Sequence, residues 1–169
     1  NCIVSQREVG VDTDCWQNAI KSALRQAPNV VLIGEIRDAE AMDYALQFAE
    51  TGHLCVATIH ATNCIQAIER IVNLFPTEKQ HQVFMNLSLN LKAIVGQRLI
   101  KLEAGKGRAP AMEILLNTST IADYIFKQQL EPIREAMVKS SDLGMQTFDQ
   151  ALFTLYETAR ISYEETLKN

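Results

Sequence analysis

The chain has 169 residues, 47% hydrophobic and 21% charged, with a formal net charge of −4. Such a chain can bury a sizeable core in one domain or two small ones, and seven Gly and four Pro leave little room for a long linker or low-complexity tail. The acidic balance argues against nucleic acid as a partner, and no apolar run is long enough to span a bilayer. No basic segment followed by an apolar stretch opens the chain, so no signal peptide is expected. The four cysteines, at 2, 15, 55 and 64, form no CxxC and are expected as reduced thiols. Asn1 stands where a Met would, directly ahead of strand-like Cys2-Ile3-Val4, so a fragment beginning inside a fold is expected.

In chain order, residues 2–9 alternate enough to predict a short strand. Thr13 or Asp14 is placed to cap a helix over 15–27, whose apolar Trp16, Ala19, Ile20, Ala23, Leu24 and Ala27 share one face. Pro28-Asn29 stops it. Val30-Val31-Leu32-Ile33 then reads as a strand buried on both faces, as in a helix-covered parallel sheet. Asp38 caps a second helix that Gly52 ends, and 54–59 is a second doubly buried strand. This alternation of helix and strand predicts an α/β fold with parallel pairing. From Asn63 a helix runs into Phe75-Pro76. Thr77 and Gln80 are in capping-box register for a longer helix reaching about Gly96, with Val83, Leu87, Leu91, Ile94 and Val95 inward. Strands over 98–102 and 110–116 flank Gly105-Lys106-Gly107, a hairpin signal. The last fifty residues read as helical, with caps at Thr118, Thr147 and Ser162. An α/β part to about residue 117 precedes a helical tail.

Chemistry concentrates after the two apolar strands. Gly34-Glu35-Ile36-Arg37-Asp38 puts an acid at a strand's carboxyl end, where ligands of open α/β sheets bind. A carboxylate there can order the water shell of Mg²⁺ or orient an attacking water in phosphoryl transfer. The second strand ends in His60, then Ala61-Thr62-Asn63. If the strands are neighbours, Glu35 and His60 emerge at one edge. His60, Thr62 and Asn63 can donate to phosphate oxygens, and Thr62-Asn63 can equally be a plain helix cap. His53, Cys55, His60 and Cys64 are all possible zinc ligands, but their spacing matches no tight knuckle. No GxxxxGK[ST] occurs, and Gly105-Lys106-Gly107 fails it. These residues alone therefore supply no phosphate cradle.

Five segments, in order, carry a resemblance: Gln6-Arg7-Glu8-Val9-Gly10, Leu24-Arg25-Gln26-Ala27-Pro28, Gly34-Glu35-Ile36-Arg37-Asp38, Glu50-Thr51-Gly52-His53-Leu54 and Thr58-Ile59-His60-Ala61-Thr62-Asn63. The chain resembles the secretion-type hexameric ATPases, the motors of type II secretion and type IV pili. Arg70-Ile71-Val72-Asn73-Leu74-Phe75-Pro76 and Gln97-Arg98-Leu99 resemble the pilus-retraction branch. The tail, through Leu143-Gly144-Met145-Gln146-Thr147-Phe148-Asp149-Gln150-Ala151-Leu152 and Ile161-Ser162-Tyr163-Glu164-Glu165, is most similar to the PilU-type accessory retraction ATPases.

The resemblance implies a partial RecA-like P-loop NTPase core over 1–117, lacking the P-loop strand and helix, and a helical C-terminal subdomain over 118–169. It makes Glu35 the Walker B acid, acting on the Mg²⁺ shell and the attacking water, with Gly34 where other Walker B motifs carry Asp. His60 becomes the His-box residue at the γ-phosphate. Arg37 would hold the Walker B turn or reach a neighbouring site. Arg7, just behind the family's Asp box, would face nucleotide or a subunit boundary. The cofactors implied are ATP and Mg²⁺. The partners implied are five further copies in a homohexamer, the principal PilT-type retraction ATPase and the pilus platform of the inner membrane. The setting is cytoplasmic, at the inner face of a bacterial inner membrane, with peripheral membrane contact at most. The retraction branch carries an Ala-Ile-Arg motif, and Thr120-Ile121-Ala122-Asp123-Tyr124-Ile125-Phe126 lacks its Arg. That departure favours an accessory role over independent retraction. From a different class, a non-catalytic assembly module would also account for the missing phosphate loop.

Overall fold

The computed structural model describes residues 2–103 and 105–169. The expectation attached to Asn1 itself lies outside the described residues. The chain divides into two compact units, Asn1–Ile59 and His60–Asn169. Among the described residues no helix is long and apolar enough to cross a membrane.

In the first unit, residues 2–8 carry no regular structure, and Val9 makes only an isolated bridge with Thr13. The predicted strand over 2–9 is thus absent. A strand needs a partner to pair with, and this segment instead closes a turn, with Gly10 N–H donating to the Thr13 carbonyl at 2.7 Å and Asp12 N–H to that of Glu8 at 2.8 Å. Helix α1 spans Trp16–Arg25, and its N-cap is Cys15, with no side-chain capping bond. Thr13, one of the two predicted caps, spends its hydroxyl on the Cys15 carbonyl. Strand β1 (Val30–Ile33) follows, then α2 (Ala39–Glu50) and β2 (Leu54–Ala57).

The predicted cap of α2 is present: Asp38 Oδ1 accepts from Ala41 N–H at 2.8 Å. Gly52, at φ +90°, lets the chain turn out of the helix in a conformation that a Cβ disfavours. β1 and β2 pair in parallel, Val30 with Leu54 through Ile33 with Ala57. Helix α2 packs on β2 and buries Met42, Ala45, Leu46 and Phe48. The expectation of strands buried on both faces fails here. Ile33 is buried, but Val30, Leu32, Leu54 and Val56, which share the other face, are exposed, Leu32 by 72%. Helix α2 covers one face of the pair, α1 packs on α2, and the apolar side chains of the opposite face are exposed.

The second unit begins with α3 (Cys64–Asn73) and α4 (Thr77–Asn90). The predicted capping box of α4 is not formed. Pro76, in extended backbone, is the N-cap, and Thr77 is already helical. The helix also stops short of Gly96. After Leu91 the chain becomes β3 (Ala93–Lys101), paired antiparallel along its full length with β4 (Arg108–Leu116). Asn117, just past β4, decides this boundary. Its Nδ2 donates to the Ser88 and Leu91 carbonyls, each at 3.0 Å, taking acceptors that a further helical turn would need. Ile94 and Val95 are consequently strand residues, and Val95 is exposed.

The predicted hairpin at Gly105-Lys106-Gly107 joins β3 to β4. The tail is helical as expected: α5 (Ser119–Phe126), α6 (Ile133–Lys139), a 3₁₀ turn (Ser141–Leu143), α7 (Phe148–Glu157) and α8 (Tyr163–Lys168). Thr118, Thr147 and Ser162 cap α5, α7 and α8, and Thr147 with Gln150 forms a complete capping box. One core cluster joins Ile100, Ala109 and Ala111 of the hairpin to Phe148, Leu152 and Leu155 of α7. Helices α4 and α5 pack together, with Ile121 and Ile125 fully buried.

Candidate functional site

β1 delivers the acid. Past Ile33 the chain continues beside the end of β2: Ile36 N–H donates to the Thr58 carbonyl at 2.9 Å, and the Thr58 hydroxyl donates to the Gly34 carbonyl. Ile36 is buried, so its neighbours Glu35 and Arg37 project away from it on a common side. Arg37 Nε and Nη2 both reach Glu35 Oε2, at 2.7 and 2.6 Å. The carboxylate side chain is 24% exposed and the guanidinium side chain 79%. The bond from Glu35, and then its charge, raise the Arg37 pKa above its usual value. So solvated an ion pair is weak and easily exchanged for another partner. Glu35 is therefore a carboxylate at the carboxyl edge of a parallel strand pair, with a cation that can leave it.

The second unit opens at His60, which is exposed and lines a shallow groove with Thr62, Gln66, Arg70 and Asn73 along α3. The Thr62 hydroxyl donates to Gln66 Oε1, and Asn63 Oδ1 accepts from Gln66 N–H at 2.8 Å. Asn63 is thus the N-cap of α3. Arg7 lies on the exposed segment ahead of α1. The structure brings Glu35 together with Arg37, and His60 together with Thr62.

The four residues of the zinc alternative do not converge. Among the described residues no group of three His, Cys, Asp or Glu side chains is placed to hold a metal ion. His53 Nδ1 instead lies 3.0 Å from the Thr51 hydroxyl, and its ring packs edge-on against Phe48. Cys55 is half-buried in β2, where desolvation raises its thiol pKa.

Two residues of the β3–β4 hairpin hold the His60 segment, and neither received a role from sequence. Glu113 Oε2 accepts from Cys64 N–H at 2.6 Å, and Arg98 Nη2 donates to the Thr62 carbonyl at 3.2 Å. The Arg98 guanidinium also lies 4.1 Å from the centroid of the Phe148 ring. A signal existed for Glu113: it is the one acid among the inward β4 positions Ala109, Ala111, Glu113 and Leu115. A charge in a buried register is there for a partner. Because the chain up to about Gly96 read as helix and the strand only from Arg98, the pairing of Gly96 with Glu113 that places Arg98 beside it was hidden.

Comparison with known proteins places these features in a family. The type II/IV secretion system protein model matches residues 5–161. The type IV pilus ATPase PilU of Pseudomonas aeruginosa is 55% identical, over 98% of this chain and 44% of its own length. The type IV pilus retraction ATPase PilT of the same organism is 40% identical, over 96% of this chain and 47% of its own. A crystal structure of the pilus retraction motor PilT with bound ADP superposes with a TM-score of 0.87 at 39% identity, covering 98% of this chain and 46% of that one. The chain spans under half the length of the relatives it matches.

Proposed function

The chain belongs to the type II/IV secretion system protein family, and on that premise we propose that it is the C-terminal part of an ATP-hydrolysing motor for type IV pilus retraction and twitching motility. The fold is that of the corresponding stretch of a RecA-like pilus motor, and the observation that carries the reading is the 55% identity to PilU along nearly the whole chain. The higher identity to PilU than to PilT favours the accessory role, as does the missing Arg in 120–126. In this reading the working form is a homohexamer in the cytoplasm, against the pilus platform of the inner membrane, able to associate with a PilT-type motor. Residues 1–117 belong to the ATPase core and 118–169 to a C-terminal subdomain.

Glu35 is the acidic side chain of the reaction, acting as its carboxylate. Its carboxylate is the hard oxygen donor that Mg²⁺ prefers, and a single such side chain suits an ion otherwise held by water and phosphate. When bound, the ion supplies neutralisation of developing phosphate charge. Glu35 would hold a water of that shell and orient the attacking water; Arg37, held on Glu35 Oε2 in the resting geometry, would keep the turn in place or cross to a neighbouring subunit. His60 donates to the γ-phosphate region, flanked by Thr62 and Asn63, with Arg7 at the nucleotide or subunit boundary. The test is direct: full-length protein should sediment with the mass of six copies and hydrolyse ATP only with Mg²⁺. A monomer without turnover contradicts the reading and favours the assembly module.

A further inference from the structure

The inward face of the hairpin carries two charged residues among apolar ones; both bond the backbone just after His60, and Arg98 also donates its Nη1 to the Asn169 carbonyl. Arg98 and Glu113 are diagonal neighbours on that face, since Gly96 pairs with Glu113 and Arg98 with Ala111. Arg98 donates to the Thr62 carbonyl, and Glu113 accepts from Cys64 N–H, one on either side of the cap residue Asn63. One donor and one acceptor, both charged, grip a short segment at two points. Bonds with an ionised member are the stronger kind.

The grip is itself anchored. Glu113 is buried beside the first turn of α3, where the helix dipole and the free N–H groups favour a negative charge. Arg98 lies over the face of Phe148, the first residue of α7, and Phe148 in turn fits against β3 because position 96 is Gly. A Cβ at Gly96 would come 3.2 Å from Phe148 Cζ. The chain of contacts therefore runs from α7 through Phe148 and Arg98 to the Thr62 carbonyl, two residues from His60.

We propose that Arg98 is a positioning residue for His60: stacked on Phe148, it fixes the backbone at Thr62 and so aims the imidazole, linking the hydrolysis site to the C-terminal helices. The proposal rests on the reading of His60 as the residue that meets the γ-phosphate. A planar fork can stack and donate at once, whereas a lysine ammonium cannot do both.

The test uses the full-length protein and steady-state ATP hydrolysis. Arg98→Ala should lower kcat about tenfold, the scale of one charge-assisted hydrogen bond with a ring contact, and leave KM for ATP within about twofold. Arg98→Lys should recover only part of the loss. The decisive readout is a double-mutant cycle on residual turnover: added to His60→Ala, Arg98→Ala should cost nothing further. Wild-type kcat in Arg98→Ala overturns the proposal, and so does a loss that multiplies fully with that of His60→Ala. If Arg98→Ala does not fold, Phe148→Leu takes its place, keeping apolar bulk while removing the ring face. It should show a smaller loss with the same lack of additivity, and full additivity there also overturns the proposal. The two failures are distinguishable. Normal turnover in His60→Ala removes the role of His60 and this inference together. An inactive His60→Ala beside a fully active Arg98→Ala removes only the inference.

Discussion

Cys64 shows how a single residue is set by its neighbours. It begins α3 with its thiol buried, and burial, then the charge and hydrogen bond of Glu113, push its pKa up to about 12. The thiolate is the reactive form, so folded protein at neutral pH should leave Cys64 unlabelled by a maleimide while exposed Cys2 labels readily. Rapid labelling of Cys64 without denaturant would contradict this burial. The linkage has a definite sign. The thiol is protonated in the fold and titrates lower when unfolded, so its stabilising contribution is complete below about pH 9 and is lost as pH rises towards about 12. Denaturant titrations at stepped pH should show that decline, and Cys64→Ala should remove it. At this scale the sequence displayed the candidate acid and histidine, because strand ends are legible from apolar runs. It did not display Arg98 and Glu113 as partners of the His60 segment, because those contacts join residues 36 and 49 positions apart.

Elements were legible where capping chemistry is local. Asp38, Asn63, Thr118, Thr147 and Ser162 each accept a hydrogen bond from the first turn of the helix they begin. Thr147 is buried and completes its box with Gln150, so Thr147→Ala should cost about 1 kcal/mol, with more if the buried neighbours are left unpaired. Urea unfolding measures this through the midpoint, and an unchanged midpoint would show that the cap contributes nothing to α7. The boundary between α4 and β3 was not legible. Leu91, Ile94 and Val95 fit a helical period as well as a strand, and a distant residue, Asn117, settles the choice by occupying the last carbonyls of α4. The missing strand over 2–9 has a similar cause, because alternation predicts a strand only where an edge is available to pair with it.

At the scale of the whole molecule, the α/β alternation and the helical tail were both readable, whereas the open face of the β1–β2 pair was not. Apolar character on both sides of Val30–Ile33 states that both faces are suited to burial, but not which residues cover them. The chain spans under half the length of PilU and PilT, and it carries the acid and histidine of the proposed reaction without a phosphate loop. On the proposed reading, Glu35 is the carboxylate that orients the attacking water, and one substitution tests it. In the full-length protein, Glu35→Gln keeps size and shape but loses the charge that, on this reading, would hold the ion's water and orient the nucleophile. The variant should retain ATP on a filter as well as wild type does, while its turnover falls by a factor on the order of a hundred or more. Wild-type turnover in Glu35→Gln would contradict the account.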